Sequence, residues 1–109
     1  MAVSDTLERI KRLVSSGNVR ISEHGYDELA ADGLLAREVI GGLSNASVVE
    51  DYPDFPKGPS VLVLQVDSEG EPVHAVWGIL KGEAKPAVLV TAYRPDPQKW
   101  TEDFKQRKS

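Results

Sequence analysis

The chain has 109 residues, 40% of them apolar and 28% charged, with 13 Lys and Arg against 17 Asp and Glu and no cysteine. That length suits one compact domain over residues 1–109, and the composition is globular rather than that of a disordered chain. Lack of cysteine excludes a disulfide scaffold and any thiolate metal site, and the charges of Asp5, Glu8, Arg9, Lys11 and Arg12 argue against a signal peptide or membrane span, so a cytoplasmic location is expected.

Charge is spread unevenly. Residues 22–54 hold eight acids (Glu23, Asp27, Glu28, Asp32, Glu38, Glu50, Asp51, Asp54) against Arg37 alone, a segment that a polyanion should avoid. Arg9, Lys11, Arg12 and Arg20 gather near the start and Lys99, Lys105, Arg107 and Lys108 near the end, so a basic patch requires a fold that joins the two ends. Solvated helix faces are the simpler account of these charges.

Asp5 and Glu8 read as a capping box, and Leu7, Ile10, Leu13 and Val14 then form the stripe of a first helix over 5–16 that Gly17 and Asn18 stop. Val19 to Ile21 is a strand stub. Ser22 caps a second helix over 23–32, with Tyr26, Leu29 and Ala30 as its apolar positions, and Leu35, Val39, Ile40 and Leu43 mark a third over 36–43. From Ala46 the period becomes two. Strands are expected over 46–52, 60–67, 73–80 and 87–94, separated by the breaker segment Pro53–Pro59 and by turn chemistry at Asp67–Gly70 and Lys81–Glu83. Asp96 and Pro97 read as the start of a last helix over 97–106, with Trp100 and Phe104 facing inward. The order predicts an α+β domain, with N-terminal helices on one face of a mainly antiparallel four-stranded sheet, a short C-terminal helix, and the other face partly open.

Two histidines are available for chemistry. His24 lies in the first turn of the second helix, where it is either a capping-turn side chain or a neutral imidazole beside a phosphate bound at the helix N-terminus. His74 interrupts a run of β-formers, and alternation puts His74 and Val76 on one strand face and Leu89, Thr91 and Tyr93 together on a face of the last strand. If those faces coincide, an imidazole, a hydroxyl and a phenol meet, a set able to position a ribose hydroxyl and exchange its proton without a metal; a satisfied polar network in a small core is the structural alternative. His24 and Glu28 have i, i+4 spacing but no third ligand follows from the sequence, so no metal or other cofactor is expected. No Gly-x-Ser-x-Gly elbow and no phosphate-loop pattern occurs.

The segments His24-Gly25, Val39, Val49-Glu50-Asp51-Tyr52-Pro53, Val73-His74-Ala75-Val76 and Val90-Thr91-Ala92-Tyr93-Arg94-Pro95-Asp96-Pro97, ending at Trp100, together resemble the bacterial family called domain of unknown function 4258. The resemblance spans nearly the whole chain. It implies kinship with small ribonuclease-toxin-like domains that include RelE and the barnase and EndoU groups, hence a helix-then-sheet fold and RNA-cleaving ancestry. The family pattern falls on His24, His74, Thr91 and Tyr93 as catalytic positions, while Arg94 is a candidate phosphate contact from its charge and strand-end place alone. Gly25 stands where the family often has alanine, which should loosen the second helix by about 1 kcal/mol. The expected function is a metal-independent endoribonuclease of toxin type, with RNA and an antitoxin or other protein as partners and neither membrane nor DNA. The alternative is a non-catalytic protein-interaction module on the same fold.

Overall fold

The computed structural model describes residues 4–108. Helix α1 (Asp5–Ser15) is followed by strand β1 (Val19–Ile21), helices α2 (Glu23–Ala31) and α3 (Ala36–Gly42) with a 3-10 turn at Leu43–Asn45, and strands β2 (Ser47–Tyr52), β3 (Ser60–Val66), β4 (Pro72–Gly78) and β5 (Ala87–Tyr93). The class is α+β as the sequence predicts, but the sheet has five strands and is mixed, in the order β1-β5-β4-β3-β2. The extra strand is the stub at Val19–Ile21, which runs parallel to Ala87–Leu89. Three residues suffice because flanking groups hold both its ends: Ala87 N–H donates to the Asn18 carbonyl at 2.9 Å and Ser22 N–H to the Leu89 carbonyl at 3.1 Å.

Capping fixes the helices. The cap of α1 is Ser4, one residue before the expected Asp5, and its hydroxyl accepts from Leu7 N–H at 3.0 Å. Ser22 caps α2 as expected, accepting from Gly25 N–H at 2.9 Å. Of the apolar positions expected on α2, Leu29 is buried and Tyr26 is 58% exposed. The helices bury Leu7, Ile10, Leu29, Leu34, Val39 and Leu43 against Val61, Val63, Val73, Ala75, Trp77, Leu89 and Ala92 of the sheet. Removing such apolar area from water is the main stabilising term for a domain of this size.

Two bulges reset which side chains face the helices. In β4–β5, His74 pairs with Tyr93 and Val76 with Thr91, but Trp77 pairs with Leu89, so Val90 is the extra residue. Leu89 and Thr91 therefore lie on opposite faces, against the simple alternation that groups them. In β2–β3, Val48 pairs with Val63 and Glu50 with Leu62, which turns Glu50 away from the helices. The side opposite the helices thus carries Glu50, Leu62, Leu64, His74, Val76, Thr91 and Tyr93.

The expected C-terminal helix over 97–106 does not form. Asp96 starts a turn, accepting from Gln98 N–H at 2.8 Å, but the chain then folds back so that Trp100 pairs antiparallel with Arg107. Phe104 takes a left-handed φ of 59° at the bend. Trp100 is buried as predicted, through a different backbone, and Phe104 is half-buried. Among the described residues no helix is long and apolar enough to cross a membrane.

Gly25 has a packing role that helix propensity misses. A Cβ there would lie 2.8 Å from the Leu89 carbonyl oxygen and 3.1 Å from Ile21 Cγ2, because the start of α2 presses against the bulged strand. Gly25→Ala should therefore lower stability by about 1–3 kcal/mol in urea titration, despite the gain of about 1 kcal/mol that alanine brings to a free helix.

Candidate functional site

His74 is fully buried although it faces away from the helices. Its Nε2 lies 2.7 Å from the Phe104 carbonyl oxygen and its Nδ1 3.3 Å from the Tyr93 hydroxyl. A carbonyl can only accept, so Nε2 carries the proton, and Nδ1 is left as the basic nitrogen that accepts from Tyr93. Trp100 meets the imidazole edge-on at 4.4 Å between ring centroids, and Tyr93 meets it at 5.4 Å. Residues 96–108 therefore cover the ring that the sequence leaves on a partly open face.

Charged groups flank this centre. Arg107 Nη2 donates to Glu50 Oε1 at 2.6 Å, and the guanidinium stacks 4.8 Å from the Trp100 ring centroid. Partial burial opposes ionisation of Glu50, but hydrogen bonds from Tyr52 and Arg107 together with the Arg107 charge outweigh it and hold the carboxyl below its ordinary value. Tyr52 is pushed up by burial and by Glu50. His74 is pushed down, mainly by burial and further by Arg107, against the opposing pull of the Phe104 carbonyl and Glu50. Burial also raises Tyr93. One sheet face thus gathers a carboxylate, an imidazole, two phenols and a guanidinium, a set with the donors, acceptors and fixed charge that proton transfer beside an anion requires.

The structure brings His74, Thr91 and Tyr93 to one side of the sheet and leaves His24 and Arg94 elsewhere. Thr91 sits one pleat from Tyr93, opposite Val76. His24 extends from α2 with its side chain 65% exposed and lies 3.4 Å from Glu28. Arg94 follows Tyr93 with the opposite facing: its N–H donates to Asp32 at the end of α2, and its guanidinium donates to Asp67 at 2.9 Å. Asp67 in turn accepts from Glu69 and Glu71 N–H groups in the β3–β4 turn, so Arg94 serves to tie that turn to the last strand. Among the described residues no three His, Cys, Asp or Glu side chains are grouped so as to hold a metal ion.

Sequence reasoning missed Glu50, Tyr52 and Arg107. Glu50 and Tyr52 lie inside a segment that carries the family resemblance, but period-two counting places Glu50 with the core-facing Val48. Arg107 was one cation among several at the end of the chain.

Residues 21–94 match the family described as Domain of unknown function (DUF4258). The chain belongs to this family. The matched range holds Glu50, Tyr52, His74, Thr91 and Tyr93 and stops short of Trp100 and Arg107. No curated protein and no solved structure matches the chain.

The buried imidazole makes stability depend on pH in a definite direction. Its folded pKa lies below the ordinary value of 6.5, so below about neutral pH the unfolded chain binds more protons and stability falls as pH falls. The loss should be at most about 0.7 kcal/mol per pH unit at pH 6.5, where half of the unfolded imidazole is protonated, should steepen below that toward a ceiling of about 1.4, and should be absent in His74→Gln, as read by urea midpoints between pH 7.5 and 5.5. Depressed carboxyls such as Asp67 and Asp103 act in a lower window, below their ordinary 3.8. Trp100→Ala should cost on the order of 3 kcal/mol in the same titration, since the indole fills the space over His74.

Proposed function

We propose that this DUF4258 domain is a metal-independent endoribonuclease of the toxin-like kind, acting on RNA in the cytoplasm, with its site on the sheet face that carries Glu50, His74, Tyr93 and Arg107. The observation that carries the reading is the convergence of these groups from β2, β4, β5 and the C-terminal segment onto one face whose other members are mainly apolar. Cleavage of RNA without a metal needs a base for the ribose 2′-hydroxyl, an acid for the leaving 5′-oxygen and a cation on the phosphate.

Glu50, ionised and partly exposed, is placed for the base and Arg107 for the phosphate. The 2′-hydroxyl proton passes to the Glu50 carboxylate as the 2′-oxygen bonds to phosphorus. The bond from phosphorus to the 5′-oxygen breaks, and that oxygen takes a proton from His74 in its doubly protonated form, which Nδ1 reaches by taking a proton from solvent and which burial makes a minor but more strongly acidic population near neutral pH. The products are a 2′,3′-cyclic phosphate and a free 5′-hydroxyl. Tyr93 orients the imidazole through Nδ1, and Thr91 is the neighbouring hydroxyl available to substrate. Kinship with RelE, barnase and EndoU domains, and pairing with an antitoxin, belong to the same proposal.

A specific observation favours the second reading, a protein-interaction module: His74 is fully buried with both ring nitrogens engaged, as in a purely structural network. Incubation of a labelled single-stranded RNA with the purified chain in excess EDTA separates the two. The nuclease reading expects cyclic-phosphate products and a loss of at least about a hundredfold in rate for both Glu50→Gln and His74→Gln. Intact RNA with a folded wild-type chain, across pH 5 to 8 and with variants that loosen residues 96–108 included, leaves the interaction module.

A further inference from the structure

We propose that residues 96–108 form a strap that closes this face in cis, and that its displacement admits RNA; the second half of this statement rests on the nuclease reading above. His74 owes its burial on this side to the strap: the Phe104 carbonyl occupies Nε2, and Trp100 packs on the ring. The strap sits where a substrate group would have to be.

Its construction suits movement as a unit. Internal hydrogen bonds join Lys108 N–H to the Lys99 carbonyl at 2.9 Å, Thr101 N–H to the Gln106 carbonyl at 2.9 Å, and the Thr101 hydroxyl to Asp103 at 2.6 Å. These would survive lifting the strap off the sheet. Its attachments to the sheet, by contrast, are local: the Phe104–His74 hydrogen bond, the Arg107–Glu50 pair beside Tyr52, and Trp100 against the imidazole. Each polar attachment has a ready replacement on opening. Water can satisfy the Phe104 carbonyl and His74 Nε2, and a phosphate oxygen can replace the Glu50 carboxylate on Arg107.

The residue that supplies the plugging carbonyl is also the strained one. Phe104 has a φ of 59°, a conformation uncommon for a bulky side chain, and it persists where surrounding contacts impose it. The family match ends at residue 94, immediately before the strap begins. The matched region therefore holds the groups being covered, and the segment after it holds the cover.

The full chain with Phe104→Pro tests this, because proline cannot adopt a φ near +60° and removes the N–H that donates to the Thr101 carbonyl. Phe104→Asn is the matched control, since asparagine tolerates left-handed backbone and leaves the carbonyl in place. Two readouts are taken: the NMR titration of the His74 ring, and binding and cleavage of a labelled 20-nucleotide single-stranded RNA. In Phe104→Pro the His74 titration should move up toward 6.5 and RNA binding should rise by about tenfold or more, as expected when a competent state goes from a minor to a major population, with Phe104→Asn close to wild type. A His74 titration that stays put while amide exchange shows residues 99–108 released would overturn the strap. Equal RNA cleavage by wild type and Phe104→Pro would overturn it too, while keeping the nuclease reading. A released His74 with RNA neither bound nor cleaved upholds the strap as a cover and removes the nuclease reading instead. If Phe104→Pro does not fold, Thr101→Val with Asp103→Ala opens the strap's own turn without touching the site, and the same outcomes apply.

Discussion

The arrangement of both layers rests on the bulge at Val90. An unbroken β5 would put Leu89 and Ala92 on opposite faces, yet both are fully buried on the helix side because one extra residue intervenes. The bulge leaves backbone carbonyls to be satisfied, and Ser22 satisfies two of them. Its hydroxyl donates to the Val90 carbonyl at 2.9 Å while its own N–H donates to the Leu89 carbonyl. That same hydroxyl caps α2. One serine therefore sets the bulge, the start of the helix and the end of β1, and the absence of a side chain at Gly25 is what lets these approach so closely. On the far side of the sheet the bulge aims Thr91 and Tyr93 at the row of His74.

A second bulge does the same for Glu50. Val48 and Glu50 share parity, so a regular β2 would send both to the helices or both away; instead Val48 packs on the core and Glu50 faces the opposite side. A carboxylate on the helix side would lie against the apolar core, where burial strongly disfavours charge. Turned outward, it meets Arg107 and Tyr52.

These slips explain what could be read from the sequence and what could not. Helix stripes, the Ser22 cap, the Asp67–Gly70 turn and the β-branched runs were legible because each is a local signal with a local cause. Bulges at Val48-Val49-Glu50 and Leu89-Val90-Thr91 fall in runs where neighbouring residues have similar β-propensity, so nothing local marks the extra residue. His74 with Tyr93 was legible because their pairing lies beyond the slip, at the end of the strands where alternation still holds. At the C-terminus, Asp96-Pro97 was a true turn signal followed by residues of fair helix propensity. Tertiary contacts overrode that propensity, since a helix would forgo the pairing of Trp100 with Arg107 and the docking of both on His74 and Glu50.

The net charge of −4 conceals an asymmetry that the sheet creates. Glu23, Asp27, Glu28, Asp32 and Glu38 all lie on α2, α3 or the turn between them, in the helical layer. The basic residues of the two ends do not merge into one patch, because α1 packs on the helix side with its Arg9, Lys11 and Arg12 while the C-terminal segment lies across the other. Lys99, Lys105 and Lys108 are exposed on that segment, next to the Arg107–Glu50 pair. Exposed charges more than a Debye length apart, about 8 Å at physiological salt, are largely screened from one another. An anion approaching the face of His74 therefore senses the mixed charges of residues 96–108 first, and the acids of the helical layer only weakly. The segment that closes the face sets Lys99, Lys105, Arg107 and Lys108 against Asp96, Glu102 and Asp103, a balance only slightly basic, so a polyanion drawn to its exposed lysines would engage the strap before anything beneath.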